Sequence, residues 1–73
     1  SMEKVIINRI KVVLVEKQKT SIWLAEQLGK SKITVSRWVS NRSQPSLDQL
    51  LEISKILDVD VRELINTSKN QTI

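Results

Sequence analysis

Apolar residues recur along this chain at the spacing of an α-helix, and capping residues divide the pattern into five short helices. Residues 3–17 carry an apolar stripe at i, i+4, i+7 and i+8, which predicts the first helix. Its β-branched run VVLV could also form a strand, but no hairpin partner follows, so a helix is the better interpretation. The remaining helices are predicted from Thr20 or Ser21 to Leu28, over 32–40 after a Ser31 cap, from Ser46 to Leu57, and as a short fifth helix opened by Asp60. The pattern therefore predicts an all-α fold, a compact five-helix domain.

The second and third predicted helices are separated by only three residues, Gly29 to Ser31. Gly29 is the single glycine of the chain, and it stands where a helix C-terminus favours a left-handed residue. Such a short turn makes two helices cross at a steep angle, and the small Ala25 lets them approach closely. The side chains spaced to fill the junction are Leu24, Leu28, Val35 and Trp38. This arrangement predicts a helix-turn-helix.

The third helix has two different faces when its residues are projected at about 100° each. The core-facing arc holds Val35, Trp38 and Val39. The opposite arc holds Lys32, Ile33, Ser36, Arg37 and Ser40, with Thr34 at its edge. An arginine displayed in this way can bond to guanine O6 and N7, and an isoleucine can contact a thymine methyl group. A merely solubilising face remains the simpler alternative, although an exposed Ile33 fits it poorly.

Charge is distributed unevenly over this small protein. The 73 residues carry a net charge of +4 and a sequence pI of about 9.8. No acidic residue occurs from Gln27 to Leu47, a stretch that contains four basic residues. A basic segment of this kind indicates a polyanionic partner, nucleic acid first, while an ordinary solvated face stays open. Residues 2–66 are expected to form one domain, and the polar tail 67–73 is expected to fray.

The composition also argues against several functions. The chain has no histidine and no cysteine, which removes the commonest general base and the thiolate metal sites. We therefore expect no enzyme activity, no metal, no cofactor and no small-molecule ligand. No apolar run is long enough to span a bilayer and no signal peptide is visible, so the expected location is the cytoplasm.

The stretch LAEQLGKSKITVSRWVSNRSQPSLDQLLEISKILDV, residues 24–59, resembles the phage-repressor, Cro/CI-type (xenobiotic response element, XRE) helix-turn-helix family. The resemblance extends from Ile6 to Ile65. It implies a lambda-repressor-like DNA-binding domain of bacterial or phage origin. Such a protein would be a transcription regulator, expected to be a repressor, that inserts helix 32–40 in the major groove. It would act as a homodimer on a palindromic operator in double-stranded DNA.

The resemblance also implies roles for individual residues. The expected base contacts are Lys32, Ile33, Ser36 and Arg37. The expected contacts to the DNA backbone are Ser21, Thr34, Ser40, Asn41, Arg42 and Ser43, although Ser21 could equally be a plain helix cap. The expected dimer surface, at the corner between helices four and five, is Ile56, Val59, Val61, Leu64 and Ile65.

A second function remains open on the same fold, because fold alone does not determine function. Ile22 and Trp23 stand where the family usually has polar residues, and they could form an apolar surface that binds another protein, such as a toxin or a second regulator. The basic face of the third helix argues against this alternative.

Overall fold

The computed structural model describes residues 6–67 and contains four α-helices, which confirms the all-α class. They are α1 (Ile10–Glu16), α2 (Ser21–Leu28), α3 (Lys32–Val39) and α4 (Leu47–Leu57), and a 3₁₀ helix (Val61–Leu64) follows α4. Within this part of the chain the only β-type pairing is an isolated antiparallel bridge between Asn8 and Ile65. Two parts of the prediction lie outside the described residues. They are residues 3–5 of the first predicted helix and residues 68–73 of the predicted tail.

The prediction of five helices is wrong by one, because the last element is a single turn. Asp60 accepts a hydrogen bond from the backbone N–H of Arg62, and Glu63 N–H bonds to the Asp60 carbonyl at 2.9 Å. The chain then becomes extended at Ile65, with φ −124° and ψ 134°. Since Ile65 pairs with Asn8, the turn cannot continue into an α-helix.

The first helix is also shorter than predicted, for the same reason. Arg9 N–H bonds to the Leu64 carbonyl and Asn66 N–H bonds to the Ile7 carbonyl, both at 2.8 Å. These bonds pair residues 7–9 with residues 64–66, so α1 begins only at Ile10. The two ends of the described chain are thereby joined.

The other helix boundaries follow from side-chain caps. The Thr20 hydroxyl accepts from Trp23 N–H, which identifies Thr20 and not Ser21 as the cap of α2. Ser31 accepts from Thr34 N–H at the start of α3. Ser46 and Gln49 form a reciprocal capping box at the start of α4. Each cap satisfies a backbone donor that has no partner inside its helix.

The turn between α2 and α3 has the geometry that its glycine predicts. Gly29 adopts φ 66° and ψ 31°, in the left-handed region, and Lys30 N–H bonds back to the Ala25 carbonyl at 3.1 Å. Three residues of the junction are buried, namely Leu24 and Val35 at 0% exposure and Trp38 at 5%, and Leu28 is half-buried beside them. α2 and α3 therefore pack against each other through one apolar junction.

Gly29→Ala should lower the free energy of unfolding by about 1 kcal/mol, because a Cβ disfavours the left-handed conformation. Added bulk is not the cause, since no heavy atom lies within 4 Å of an ideal Cβ at this position. Gly29→Asn is the matched control and should cost less, because asparagine adopts positive φ more readily. Urea unfolding of the three proteins measures both differences, and equal stability of all three would contradict the argument.

One apolar core joins all four helices and the 3₁₀ helix. Its buried members are Ile10, Val13, Leu14, Leu24, Ala25, Val35, Trp38, Leu50, Ile53, Leu57 and Leu64. Apolar residues at its margin pack against it, namely Trp23, Leu28, Val39, Ile56, Val59 and Val61. Among residues 6–67 no helix has the length and apolar character needed to cross a membrane.

The core corrects part of the predicted dimer surface. Leu64 is 0% exposed, so it belongs to the interior and offers nothing to a second chain. Ile56, Val59 and Val61 are half-buried against the core, and Ile65 alone of the predicted set is exposed, at 40%. The physical reason is the 3₁₀ turn, which directs Leu64 inward and leaves its neighbour Ile65 outside.

Candidate nucleic-acid interface

The start of α2 and the outer face of α3 line an open groove with a volume of about 570 Å³. Its lining residues are Ser21, Ile22, Lys32, Ile33, Ser36, Arg37 and Arg42. All four predicted base contacts are therefore brought together, and two of the six predicted backbone contacts, Ser21 and Arg42, join them. Ile22, one of the two residues of the alternative protein-binding surface, also lines this groove.

The two faces of α3 explain why these side chains point into the groove. Val35 and Trp38 are buried, at 0% and 5% exposure, and they fix the rotation of the helix against the core. Ile33, on the opposite face, is 73% exposed. Once Trp38 packs inward, helical spacing leaves Lys32, Ser36 and Arg37 facing solvent.

The groove carries three cations, Lys32, Arg37 and Arg42, and no acidic side chain. Among residues 6–67 the only ion pair joins Asp60 and Arg62, at 3.1 Å, in the 3₁₀ helix region. There the hydrogen bond from the Arg62 side chain lowers the pKa of Asp60. The three groove cations thus have no carboxylate partner in the described chain, and their charge is available to an anion.

Thr34 and Ser40 are two other predicted contacts to the DNA backbone. Their hydroxyl groups form hydrogen bonds with residues of α3 or its caps. Thr34 Oγ1 accepts a hydrogen bond from the Ser31 hydroxyl at 2.9 Å. The Ser40 hydroxyl donates to the Arg37 carbonyl at 3.2 Å. Neither Thr34 nor Ser40 lines the groove, and Ser43 does not line it either.

Asn41 has a structural role that the sequence argument missed. Its backbone is in the left-handed region, at φ 62°. Its side-chain oxygen accepts from Ile7 N–H and Asn8 N–H, both at 2.9 Å, and its amide nitrogen donates to the Asn8 carbonyl at 3.2 Å. These bonds use the side-chain oxygen and one of the two amide N–H groups, so a contact from the second N–H to the DNA backbone stays a prediction.

Asn8 and Gln44 complete this amide network. Asn8 is 3% exposed, and its amide nitrogen donates to the Trp38 carbonyl and to Gln44 Oε1, both at 2.8 Å. The Gln44 amide in turn donates to Asn41 Oδ1 at 3.2 Å. An asparagine at the end of a predicted helix could have signalled the left-handed position, but nothing local marks Asn8 as buried.

The network ties the loop after α3 to the segment before α1, and this loop carries Arg42. Arg42 N–H also bonds to the Arg37 carbonyl, at 2.9 Å. The chain therefore turns back at the end of α3, and Arg42 lies in the same groove as Arg37 although it follows the helix.

Ile22 and Trp23 have different surroundings. Neighbouring residues of a helix point about 100° apart. Ile22 is 50% exposed and lines the groove, whereas Trp23 is half-buried against the core. The Lys19 ammonium group lies 4.7 Å from the centre of the Trp23 ring, as in a cation–π contact. Ile22 is therefore the more exposed of the two residues, and the protein-binding surface predicted for them stays a prediction.

Residues 6–67 contain no group of three or more His, Cys, Asp or Glu side chains that could hold a metal ion. The groove has instead the chemistry of an anion-binding surface with several hydrogen-bond donors. The groove runs along the exposed face of α3, so its shape suits an extended polyanion better than a compact ion.

The chain is similar to known proteins in both sequence and structure. A family model described as helix-turn-helix matches residues 14–64, which includes all four α-helices in whole or in part. A crystal structure of a candidate DNA-binding protein from Bacteroides fragilis is 65% identical in sequence, with a TM-score of 0.81. The alignment covers 82% of this chain and 97% of that one. A search among curated proteins finds no match.

Proposed function

Because the chain belongs to the Cro/CI-type (XRE) helix-turn-helix family, we propose that it is a sequence-specific regulator of transcription that binds double-stranded DNA. The observation that carries the proposal is the groove, which combines four predicted base contacts and two backbone contacts without any acidic side chain. The Bacteroides fragilis protein, described as a candidate DNA-binding protein, supports it at 65% identity.

Base recognition is assigned to the exposed face of α3. The major groove of B-DNA is about 12 Å wide and admits an α-helix. Arg37 would bond to guanine O6 and N7, Lys32 would reach a guanine or a phosphate, and Ser36 would donate or accept at a base edge. Ile33 supplies an apolar contact, and its 73% exposure leaves it free to do so.

Contacts to the DNA backbone are assigned to the two sides of the same groove. Arg42 approaches from the loop after α3, and Ser21 approaches from the start of α2. Since Thr20 provides the cap of α2, the hydroxyl of Ser21 is not required for that purpose. Ser43, next to Arg42, is exposed, and Thr34, Ser40 and Asn41 remain in the proposed set although they do not line the groove. Such contacts position a protein on DNA, while base contacts give specificity.

We further propose a homodimer that represses transcription from a palindromic operator. A single module of this size offers few contacts, and two modules spaced by about one helical turn of DNA, roughly 34 Å, double them. With Leu64 excluded, the surface proposed for the dimer is exposed Ile65 with the half-buried Ile56, Val59 and Val61. Such a regulator would work in the cytoplasm of a bacterium, on the nucleoid.

Selection of binding sites from random duplex DNA, near physiological salt, tests this proposal. We expect an inverted repeat whose half-sites contain a guanine, because two copies of α3 would each read one half-site. Enrichment of single half-sites would contradict the homodimer only. Binding without any enriched sequence, or no binding at all, would contradict sequence-specific regulation.

A further inference from the structure

Two isoleucines are exposed inside a groove that is otherwise polar and cationic. Ile33 lies in the first turn of α3 and is 73% exposed, and Ile22 lies in the first turn of α2 and is 50% exposed. Both line the groove with Lys32, Ser36 and Arg37. They come from different helices, so the fold and not their sequence spacing brings them to one surface.

A cationic groove with apolar side chains needs a ligand that offers both anionic and apolar groups. DNA phosphates would satisfy the cations, but they offer nothing to an isoleucine. Among the base edges in the major groove, the C5-methyl group of thymine is the apolar feature, whereas guanine, adenine and cytosine present hydrogen-bonding groups. A methyl-bearing pyrimidine is therefore the chemical complement of these two side chains.

We propose that Ile22 and Ile33 together form an apolar reader that selects thymine through its C5-methyl group. The inference rests on the proposed DNA-binding function and deepens it, since it gives α2 a share in specificity. The partner is duplex DNA whose half-site carries a thymine beside the guanine read by Arg37.

The register along α3 limits where this thymine lies. Ile33 and Arg37 are four residues apart, which corresponds to a rise of about 6 Å along the helix. Successive base pairs are separated by about 3.4 Å. The selected thymine should thus lie within about two base pairs of the guanine, on either strand.

Deoxyuridine substitution tests the proposal, because it removes the C5-methyl group and leaves all other groups of the base unchanged. Each thymine of the preferred duplex is replaced in turn, and the Kd is measured by fluorescence anisotropy. For the unmodified protein we expect Kd to rise about fourfold at one or two positions, the ratio for one buried methyl group. Ile33→Ala and Ile22→Ala should each bind more weakly and lose most of this discrimination.

Leu47→Ala is the matched control, since Leu47 is an apolar residue of α4 that is 78% exposed and lies outside the groove. It should retain the full fourfold effect. Both isoleucines are at least half exposed, so their alanine variants should fold, and circular dichroism checks this.

Four results would overturn the reader. An unmodified protein that binds its selected site but tolerates deoxyuridine everywhere would eliminate methyl recognition while leaving the DNA-binding function intact. Sensitivity that persists in both alanine variants would assign the methyl contact to other residues. Loss of sensitivity in Ile33→Ala alone would remove Ile22 from the reader. Absence of any sequence-specific binding would overturn the proposed function itself, and the reader with it.

Discussion

Leu64→Ala should lower the free energy of unfolding by about 2–5 kcal/mol, because it empties a fully buried site in the core. Leu64 is 0% exposed and lies in the 3₁₀ helix, which closes the core from the C-terminal side. Its carbonyl also accepts the hydrogen bond from Arg9 N–H, so a shift of the backbone would disturb the start of α1 as well. For a domain of 73 residues a loss of this size is a large share of the total stability.

Ile65→Ala is the matched control for this experiment. The residue is the next in the chain and equally large, but it is 40% exposed, so its truncation should cost clearly less than that of Leu64. Urea unfolding of both variants, at two protein concentrations, measures the difference and detects any dimer through its concentration dependence. Similar losses for the two variants would contradict the assignment of Leu64 to the core and of Ile65 to the surface.

Arg37→Ala should weaken binding to the preferred duplex by about 1–3 kcal/mol, or roughly 5- to 150-fold in Kd, and relax specificity at one base pair. Arg37 lies on the exposed face of α3 and has no carboxylate partner among the described residues. Its guanidinium can therefore form two hydrogen bonds to one guanine without first breaking an ion pair. The measurement is Kd on the selected site and on variants of that site with one base pair changed.

Arg42→Ala provides the comparison, since it removes the same charge from the same groove but from the loop after α3. It should weaken binding to all duplexes by a similar factor and reduce the slope of log K against log salt by about one. If Arg37→Ala also weakened binding to every duplex by the same factor, Arg37 would be a phosphate contact. Loss of discrimination in Arg42→Ala would move base recognition to the loop.

Much of the candidate site could be predicted because its determinants are local. Thr20, Ser31 and Ser46 cap their helices through bonds to residues three positions ahead, so short sequence patterns suffice. The turn at Gly29 and the alternation of buried and exposed positions in α3 likewise depend on residues within one or two turns. The position of the four predicted base contacts on one helix face followed directly from this periodicity.

Other parts of the molecule depend on contacts between residues far apart in the chain. Asn8 and Gln44 meet across 36 positions, and Asn41 bonds to the segment before α1 across 33 or 34. Polar residues are expected at the surface when only the sequence is known, and burial of Asn8 becomes favourable only when each of its groups finds a partner. This network gives Asn41 a structural role and holds the loop that places Arg42 beside Arg37.

The sequence by itself determined the helix-turn-helix, its family and the face of α3 that meets the groove, because helix caps and helical periodicity act over a few residues. Only the tertiary structure decided that the last element is a 3₁₀ turn, since Ile65 must extend to pair with Asn8. The same pairing directs Leu64 inward and Ile65 outward, and the packing of α2 turns Trp23 to the core and Ile22 to the groove. In each case two neighbouring residues are both apolar, and long-range packing selects which one packs against the core.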